Sequence, residues 1–183
     1  MRLRIISGEL GGRFIKAPDS KFTRPTTEKV KESIFNQLSN FFEFDDKLVL
    51  DLYSGSGSLG FEALSRGASE VHFIEKNFKV YQNLSENAAS LNVAERVKIF
   101  KTDTVKYLSS CSYKYDLILA DPPFFMYDIH NCFKLIKDKQ LIAPGGILLI
   151  ERSVQTIQKD AAAFSLEPYR RIGDTALYIL ENN

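Results

Sequence analysis

The hydrophobic and polar positions change their period twice along the chain. Residues 2–7 and 13–17 read as two short strands, with Gly8, Gly11 and Gly12 supplying the turn between them. After Pro18 a polar stretch leads to Thr23-Arg24-Pro25-Thr26-Thr27, where proline beside a threonine N-cap announces a helix. Val30, Ile34, Leu38 and Phe41 then fall at spacings of four, four and three, one stripe of that helix. From residue 47 short β-branched runs alternate with longer amphipathic ones. Strands are predicted at Leu48–Tyr53, Glu70–Glu75, Val97–Lys101, Tyr115–Ala120 and Ile147–Glu151. Helices are predicted between them at Ser58–Arg66, Phe78–Leu91, Thr104–Ser109 and Ile129–Lys139. Leu166–Ile172 and Thr175–Leu180, joined by Gly173-Asp174, read as an antiparallel hairpin.

Strands separated by helices make βαβ units and a mainly parallel, right-handed sheet. The expected fold class is therefore α/β, a doubly wound Rossmann-like sheet with an antiparallel C-terminal hairpin. An N-terminal arm of hairpin and helix, residues 1–40, precedes the main domain, residues 41–183. The 183 residues suffice for one sizeable core. No apolar run reaches the ~18 residues a membrane helix needs, and the basic start lacks the apolar segment of a secretory signal. Cys111 and Cys132 have no paired spacing that suggests a disulfide framework or a zinc site. A cytoplasmic protein without metal or membrane partner is the expectation. Net charge is +1, but residues 1–31 carry eight basic side chains against three acids. The arm thus holds +5 and the remainder −4, an asymmetry suited to a polyanion.

Four motifs follow four successive strands, at the carboxyl ends where open α/β sheets bind ligands. Asp51-Leu-Tyr-Ser-Gly55-Ser-Gly57-Ser-Leu-Gly60 runs from the first parallel strand into a helix, and its glycines permit a tight turn and close backbone approach. Asp51, four residues before Gly55, favours a ligand with positive charge and disfavours a dinucleotide pyrophosphate. Glu75 ends the next strand, twenty-four residues after Asp51, in register to accept two ribose hydroxyls. Asp103-Thr104 can accept from an adenine amine or cap a helix, and the two roles are compatible. Asp121-Pro122-Pro123-Phe124 follows an apolar strand. Two prolines stiffen that loop and leave carbonyls free. An Asp oxygen and the Pro122 carbonyl can hold both hydrogens of an exocyclic amine while Phe124 stacks on the base.

These residues together resemble class I S-adenosylmethionine-dependent methyltransferases acting on amino groups. The resemblance extends to the RsmD family through Arg4-Ile-Ile-Ser-Gly8 with Gly12-Arg13 and through Arg24-Pro-Thr-Thr-Glu-Lys-Val-Lys-Glu-Ser-Ile-Phe-Asn36. Ser54-Gly-Ser-Gly-Ser-Leu-Gly-Phe-Glu-Ala-Leu-Ser-Arg-Gly-Ala68 and Gly173-Asp-Thr-Ala-Leu177 also match it. The resemblance implies methyl transfer to N2 of a guanine in 16S ribosomal RNA, with the RNA inside a partly assembled small subunit and the enzyme a monomer. It further implies that Asp51, Gly55, Gly57 and Gly60 hold the methionine portion of S-adenosylmethionine, Glu75 the ribose, and Asp103 with Thr104 the adenine. Asp121, Pro122, Pro123 and Phe124 would present the amine. Arg24 and Thr26 would lie over the cofactor, and Arg4, Arg13 and Lys16 would meet RNA. Ser7 stands where the family usually has glycine, and Glu9 and Gly11 where it tends to basic residues.

Three other readings compete. An adenine N6 amine in RNA or DNA presents the same two hydrogens to the loop. An NAD-dependent oxidoreductase is opposed by Asp51 and by the Asp-Pro-Pro-Phe loop. A non-catalytic RNA-binding module has no reason to keep all four motifs. Carbon methylation would need a nucleophilic cysteine near the loop, and neither Cys111 nor Cys132 lies in such a motif.

Overall fold

The computed structural model describes residues 1–17, 28–123 and 125–182. A small antiparallel pair, β1 (Arg2–Arg4) and β2 (Phe14–Lys16), leads to α1 (Glu28–Leu38). Then follow β3 (Leu48–Asp51), α2 (Ser58–Ser65), β4 (Glu70–Ile74), α3 (Phe78–Ser90), β5 (Val97–Phe100) and α4 (Thr104–Ser110). The chain closes with β6 (Tyr115–Ala120), α5 (Asp128–Asp138), β7 (Ile142–Ser153), α6 (Ile157–Phe164), β8 (Arg170–Ile172) and β9 (Thr175–Glu181). The large sheet has the order β5-β4-β3-β6-β7-β9-β8, parallel through β7 and antiparallel thereafter. This is the doubly wound α/β architecture that the alternation of strands and helices predicts. Among the described residues no helix is long and apolar enough to cross a membrane.

Alternation along each strand sorts the apolar side chains into two cores. Val49, Leu117, Leu119 and Leu149 face α1, α2 and α3, packing on Ile34, Phe35, Phe61 and Leu84. Leu50, Ile118, Ala120 and Ile150 face the other way, onto Leu108 of α4, Ile129 and Phe133 of α5, and Phe164 of α6. Ile5, Leu10 and Ile15 of the arm belong to the first core, so residues 1–17 are packed against the sheet layer.

A polar clasp fixes that packing. Glu62 of α2 is fully buried and accepts the N–H groups of Ile6 (2.8 Å) and Ser7 (3.1 Å). It also pairs with Lys31 Nζ of α1 at 3.4 Å and with Arg66 Nε at 3.0 Å. Burial pulls the Lys31 ammonium below its ordinary pKa, and Glu62 opposes that fall. Gly8, at φ +82°, lies so close to α2 that an added Cβ would sit 1.7 Å from the Ser65 carbonyl oxygen. Only glycine fits there. Glu9, the departure from a basic residue, pairs with Arg96, which donates to the Ala68 carbonyl at 2.7 Å.

The strands of the arm are shorter than predicted, because Ile6 and Ser7 give their N–H groups to Glu62 instead of a ladder. α1 ends at Leu38, so Phe41 leaves the predicted stripe; it is exposed and meets Tyr169 edge-on at 6.4 Å, while Phe42 enters the core. β8 begins only at Arg170, not at Leu166, because α6 terminates at Ser165 in left-handed conformation (φ 53°) and Pro168 offers no N–H. α6 itself falls in a stretch where the sequence predicts no element. Its apolar residues Ile157, Ala161 and Phe164 span two turns only, too short a window for the period to declare itself. The predicted Thr26–Thr27 helix start lies outside the described residues.

Candidate functional site

Strand order reverses between β3 and β6, and the loops leaving these two neighbours form the switch point of the sheet. Asp51 pairs in register with Leu119, and Asp121, two residues further along β6's direction, returns to the same face. The two carboxylates are thereby brought together. Asp51 is 2% exposed, and its Oδ2 accepts the Gly60 N–H at 3.0 Å. That approach requires Gly60 to lack a side chain, since a Cβ would strike the Phe73 ring at 2.3 Å. Burial drives the Asp51 carboxyl up to about 7; the Gly60 bond opposes the rise, and Asp121 and Glu75 add to it. Three carboxylates therefore converge on one small volume, the electrostatic complement of a cationic ligand.

Glu75 reaches back across the loop. Its Oε2 accepts from the Gly55 N–H at 3.2 Å and its Oε1 from the Asn77 N–H at 2.7 Å, and each oxygen retains lone-pair capacity. Gly55 (φ +52°) and Gly57 (φ +82°) hold the left-handed turns of the loop, and among the described residues no side chain caps the start of α2. Such a helix start suits a carboxylate group. Ser54, inside the motif but not singled out by sequence reasoning, stitches the loop to both strands. Its hydroxyl donates to the Asp51 carbonyl at 2.7 Å and accepts from the Ile74 N–H at 2.9 Å.

Asp103 caps α4, its Oδ1 accepting from Val105 N–H (3.0 Å) and Lys106 N–H (3.3 Å), so the capping role is present whatever else it does. Thr104 is buried, with its hydroxyl enclosed beside Tyr53 and Cys132. Tyr53, a second residue that sequence reasoning passed over, bridges the two loops of the site. It leaves the glycine motif and donates to Asp128 Oδ1 at 3.1 Å, at the start of α5. Cys132 lies 3.4 Å from the same hydroxyl, fully buried, and burial raises its thiol pKa. A buried, raised thiol is a poor nucleophile.

Asp121 is partly buried, Pro122 buried and Pro123 exposed, at the mouth of β6. Phe124, Arg24 and Thr26 lie outside the described residues. Of the arm residues expected to meet RNA, Lys16 is exposed and loosely paired with Glu86 at 3.4 Å. Arg4 is half-exposed and pairs with Glu28 at 3.1 Å. Arg13 is engaged differently: it donates to the Leu91 carbonyl at 2.8 Å and to the Ser90 carbonyl, capping the end of α3. Two of its donors are thus committed within the fold.

Residues 3–181 match the family model described as Conserved hypothetical protein 95. The chain belongs to this family, the RsmD family. Among RsmD-like relatives, Ribosomal RNA small subunit methyltransferase D of Escherichia coli (strain K12) is 33% identical over 154 residues, covering 84% of this chain and 76% of that protein. YlbH of Bacillus subtilis (strain 168) is 36% identical over 152 residues, 81% of this chain and 82% of its own. The solved yhhF chain from Escherichia coli superposes with a TM-score of 0.84 at 28% identity, covering 100% of this chain and 98% of that one. The RsmD match runs through the arm, so the hairpin and its clasp on α2 belong to the family portion of the chain.

Proposed function

We propose that this protein is a cytoplasmic, S-adenosylmethionine-dependent methyltransferase acting on the exocyclic N2 of a guanine in 16S ribosomal RNA of the small subunit. The observation that carries the reading is the convergence of buried Asp51 with Glu75 and Asp121 beside the glycine loop. Their summed negative charge fits a cofactor bearing a sulfonium and an ammonium group, and would repel a pyrophosphate. The name of the Escherichia coli relative supports the class of substrate.

When bound, S-adenosylmethionine supplies an electrophilic methyl group. Asp51 and the loop from Gly55 to Gly60 would hold its methionine portion, Glu75 its ribose, and Asp103 at the head of α4 its adenine, with Thr104 shaping the wall behind. Arg24 and Thr26 would close over it from the arm. Asp121 and the Pro122 carbonyl accept the two amine hydrogens of the target guanine and point the nitrogen lone pair at the methyl. Pro123 stiffens the loop and Phe124 stacks on the base. Alignment for in-line displacement is the main contribution of such a site. The surplus amine proton passes to Asp121 or to water. Arg4 and Lys16, with Arg13 at their side, give the arm its positive face for RNA phosphates.

The test is methyl transfer from labelled S-adenosylmethionine to unmodified 16S RNA, a partly assembled small subunit, and duplex DNA, with nucleoside analysis. N2-methylguanosine from RNA or the particle is expected, and Asp121→Ala should abolish it while cofactor affinity stays within a few-fold. N6-methyladenosine would overturn the target, and equal loss of turnover and cofactor binding in Asp121→Ala would move that residue into the cofactor site.

A further inference from the structure

The loop that carries Asp121 and Pro122 is fastened at its far end by a cluster that the mechanism has not used. Asp128 opens α5 and is held by the Tyr53 hydroxyl at 3.1 Å. One residue earlier, the Tyr127 ring is stacked among polar groups. The Arg152 guanidinium carbon lies 5.7 Å from its centre, the Lys159 ammonium 4.9 Å, and the His130 ring 5.4 Å. Arg152 stands on β7 two residues beyond Ile150, the partner of Ala120 at the end of β6, and so lies near the point where the substrate loop leaves the sheet.

Arg152 is fully buried. Its Nε donates to Asp160 Oδ2 at 2.8 Å, and Asp160 is further held by Thr156 and by His130 Nε2 at 2.7 Å. Both Nη groups are enclosed without a hydrogen-bond acceptor among the described residues. A guanidinium carries five N–H donors, and leaving most of them undirected in the interior is costly. A methionine would fill the same volume without that cost. What the charge adds is an attraction to the negative face of an aromatic ring. The ring available is Tyr127.

We infer that Tyr127, seated on Arg152 and Lys159, is a positioning residue for methyl transfer. It fixes the segment between β6 and α5 so that Asp121 and Pro122 meet the accepting amine in a single geometry. The inference rests on the function proposed above. Tyr53 secures the same segment one residue further on, tying it to the glycine loop, so cofactor loop and substrate loop are held as one unit. A displacement of about 1 Å in such an arrangement lowers turnover on the order of a hundredfold.

The experiment compares Tyr127→Phe, Tyr127→Leu and Arg152→Met in the full chain, measuring kcat and KM with RNA, the Kd for S-adenosylmethionine, and the melting temperature. Tyr127→Phe keeps the ring and should retain kcat within about twofold. Tyr127→Leu should lose about tenfold or more in kcat, with cofactor Kd unchanged, and Arg152→Met should reproduce that loss. Tyr127 is 36% exposed, so its two variants decide the matter even where Arg152→Met fails to fold. A wild-type kcat in Tyr127→Leu, equal losses in Phe and Leu, or a kcat loss matched by cofactor Kd would each overturn the inference. Wild-type protein that transfers no methyl to RNA would overturn the proposed function and this inference with it. An active wild type with an unaffected Leu variant would overturn this inference alone.

Discussion

Replacing Asp51 by asparagine keeps the acceptor for the Gly60 N–H and removes the charge, which separates the two things this residue does. Raising its carboxyl from 3.8 to about 7 corresponds to roughly 4 kcal/mol between its two protonation states. The residue is fully enclosed, so little of this is screened by solvent. In the cofactor-free protein the native state holds the Asp51 proton through a range where the unfolded chain has lost it. The native state therefore binds more protons than the unfolded state between about pH 4 and pH 7. Stability from this group falls as pH rises through that window and is flat above it. Asp51→Asn should consequently be more stable than wild type at pH 8, by about 2 kcal/mol or more, a gain of roughly 4–8 °C in melting temperature for a chain of this size. At pH 4.5 the two proteins should melt together. Cofactor binding should move the other way: wild-type affinity for S-adenosylmethionine should tighten about tenfold per pH unit up to about 7 and then level off, as a cationic ligand expels the proton. The asparagine variant should bind weakly with no such slope. Calorimetric titration across pH 5.5–8.5 and thermal melts of both proteins make the comparison. A variant that melts below wild type at pH 8, or that keeps the wild-type pH slope in affinity, would refute the reasoning.

Other perturbations test the arm and the site around it. Glu62→Gln removes the one carboxylate shared by the Ile6 and Ser7 N–H groups, Lys31 and Arg66, leaving the buried Lys31 ammonium without its paired charge and held by the Arg4 carbonyl at 2.7 Å. A loss of about 3–5 kcal/mol in urea unfolding is expected, and a loss below 1 kcal/mol would deny the clasp its role. Gly8→Ala drives a methyl group into the Ser65 carbonyl, so amide exchange should quicken in residues 2–16 while the large sheet keeps its protection; unchanged exchange would show that the approach relaxes freely. Arg13→Ala and Lys16→Ala should differ in kind. The first uncaps α3 and should cost about 1 kcal/mol of stability. The second leaves melting unaltered and lowers the salt dependence of RNA binding by about one counterion. Equal effects on melting from both would contradict the capping geometry.

The period of apolar residues in the sequence determined the layer architecture, because alternation in a strand and a three-to-four spacing in a helix leave few ways to bury one face of each. The order of motifs likewise places Asp51, Glu75, Asp103 and Asp121 at strand ends, since short parallel strands carry their carboxyl-terminal residues to the same edge of a sheet. Tertiary structure alone decided what these residues touch. That Asp51 is buried against Gly60 follows from how closely α2 approaches β3, a distance set by packing on Phe73. The charge of Arg13 can be counted along the chain, but its hydrogen-bond partners cannot; the carbonyls it caps lie about seventy-seven residues away. Glu62 reads in the sequence as an ordinary helix acid, and only the fold turns it inward beneath the arm. Tyr53 meets Asp128, and Arg152 meets Tyr127, across separate segments, and nothing local in any of them announces these contacts. A pattern repeated within a few residues can be read from the chain, whereas a contact between distant segments exists only once the whole core has closed.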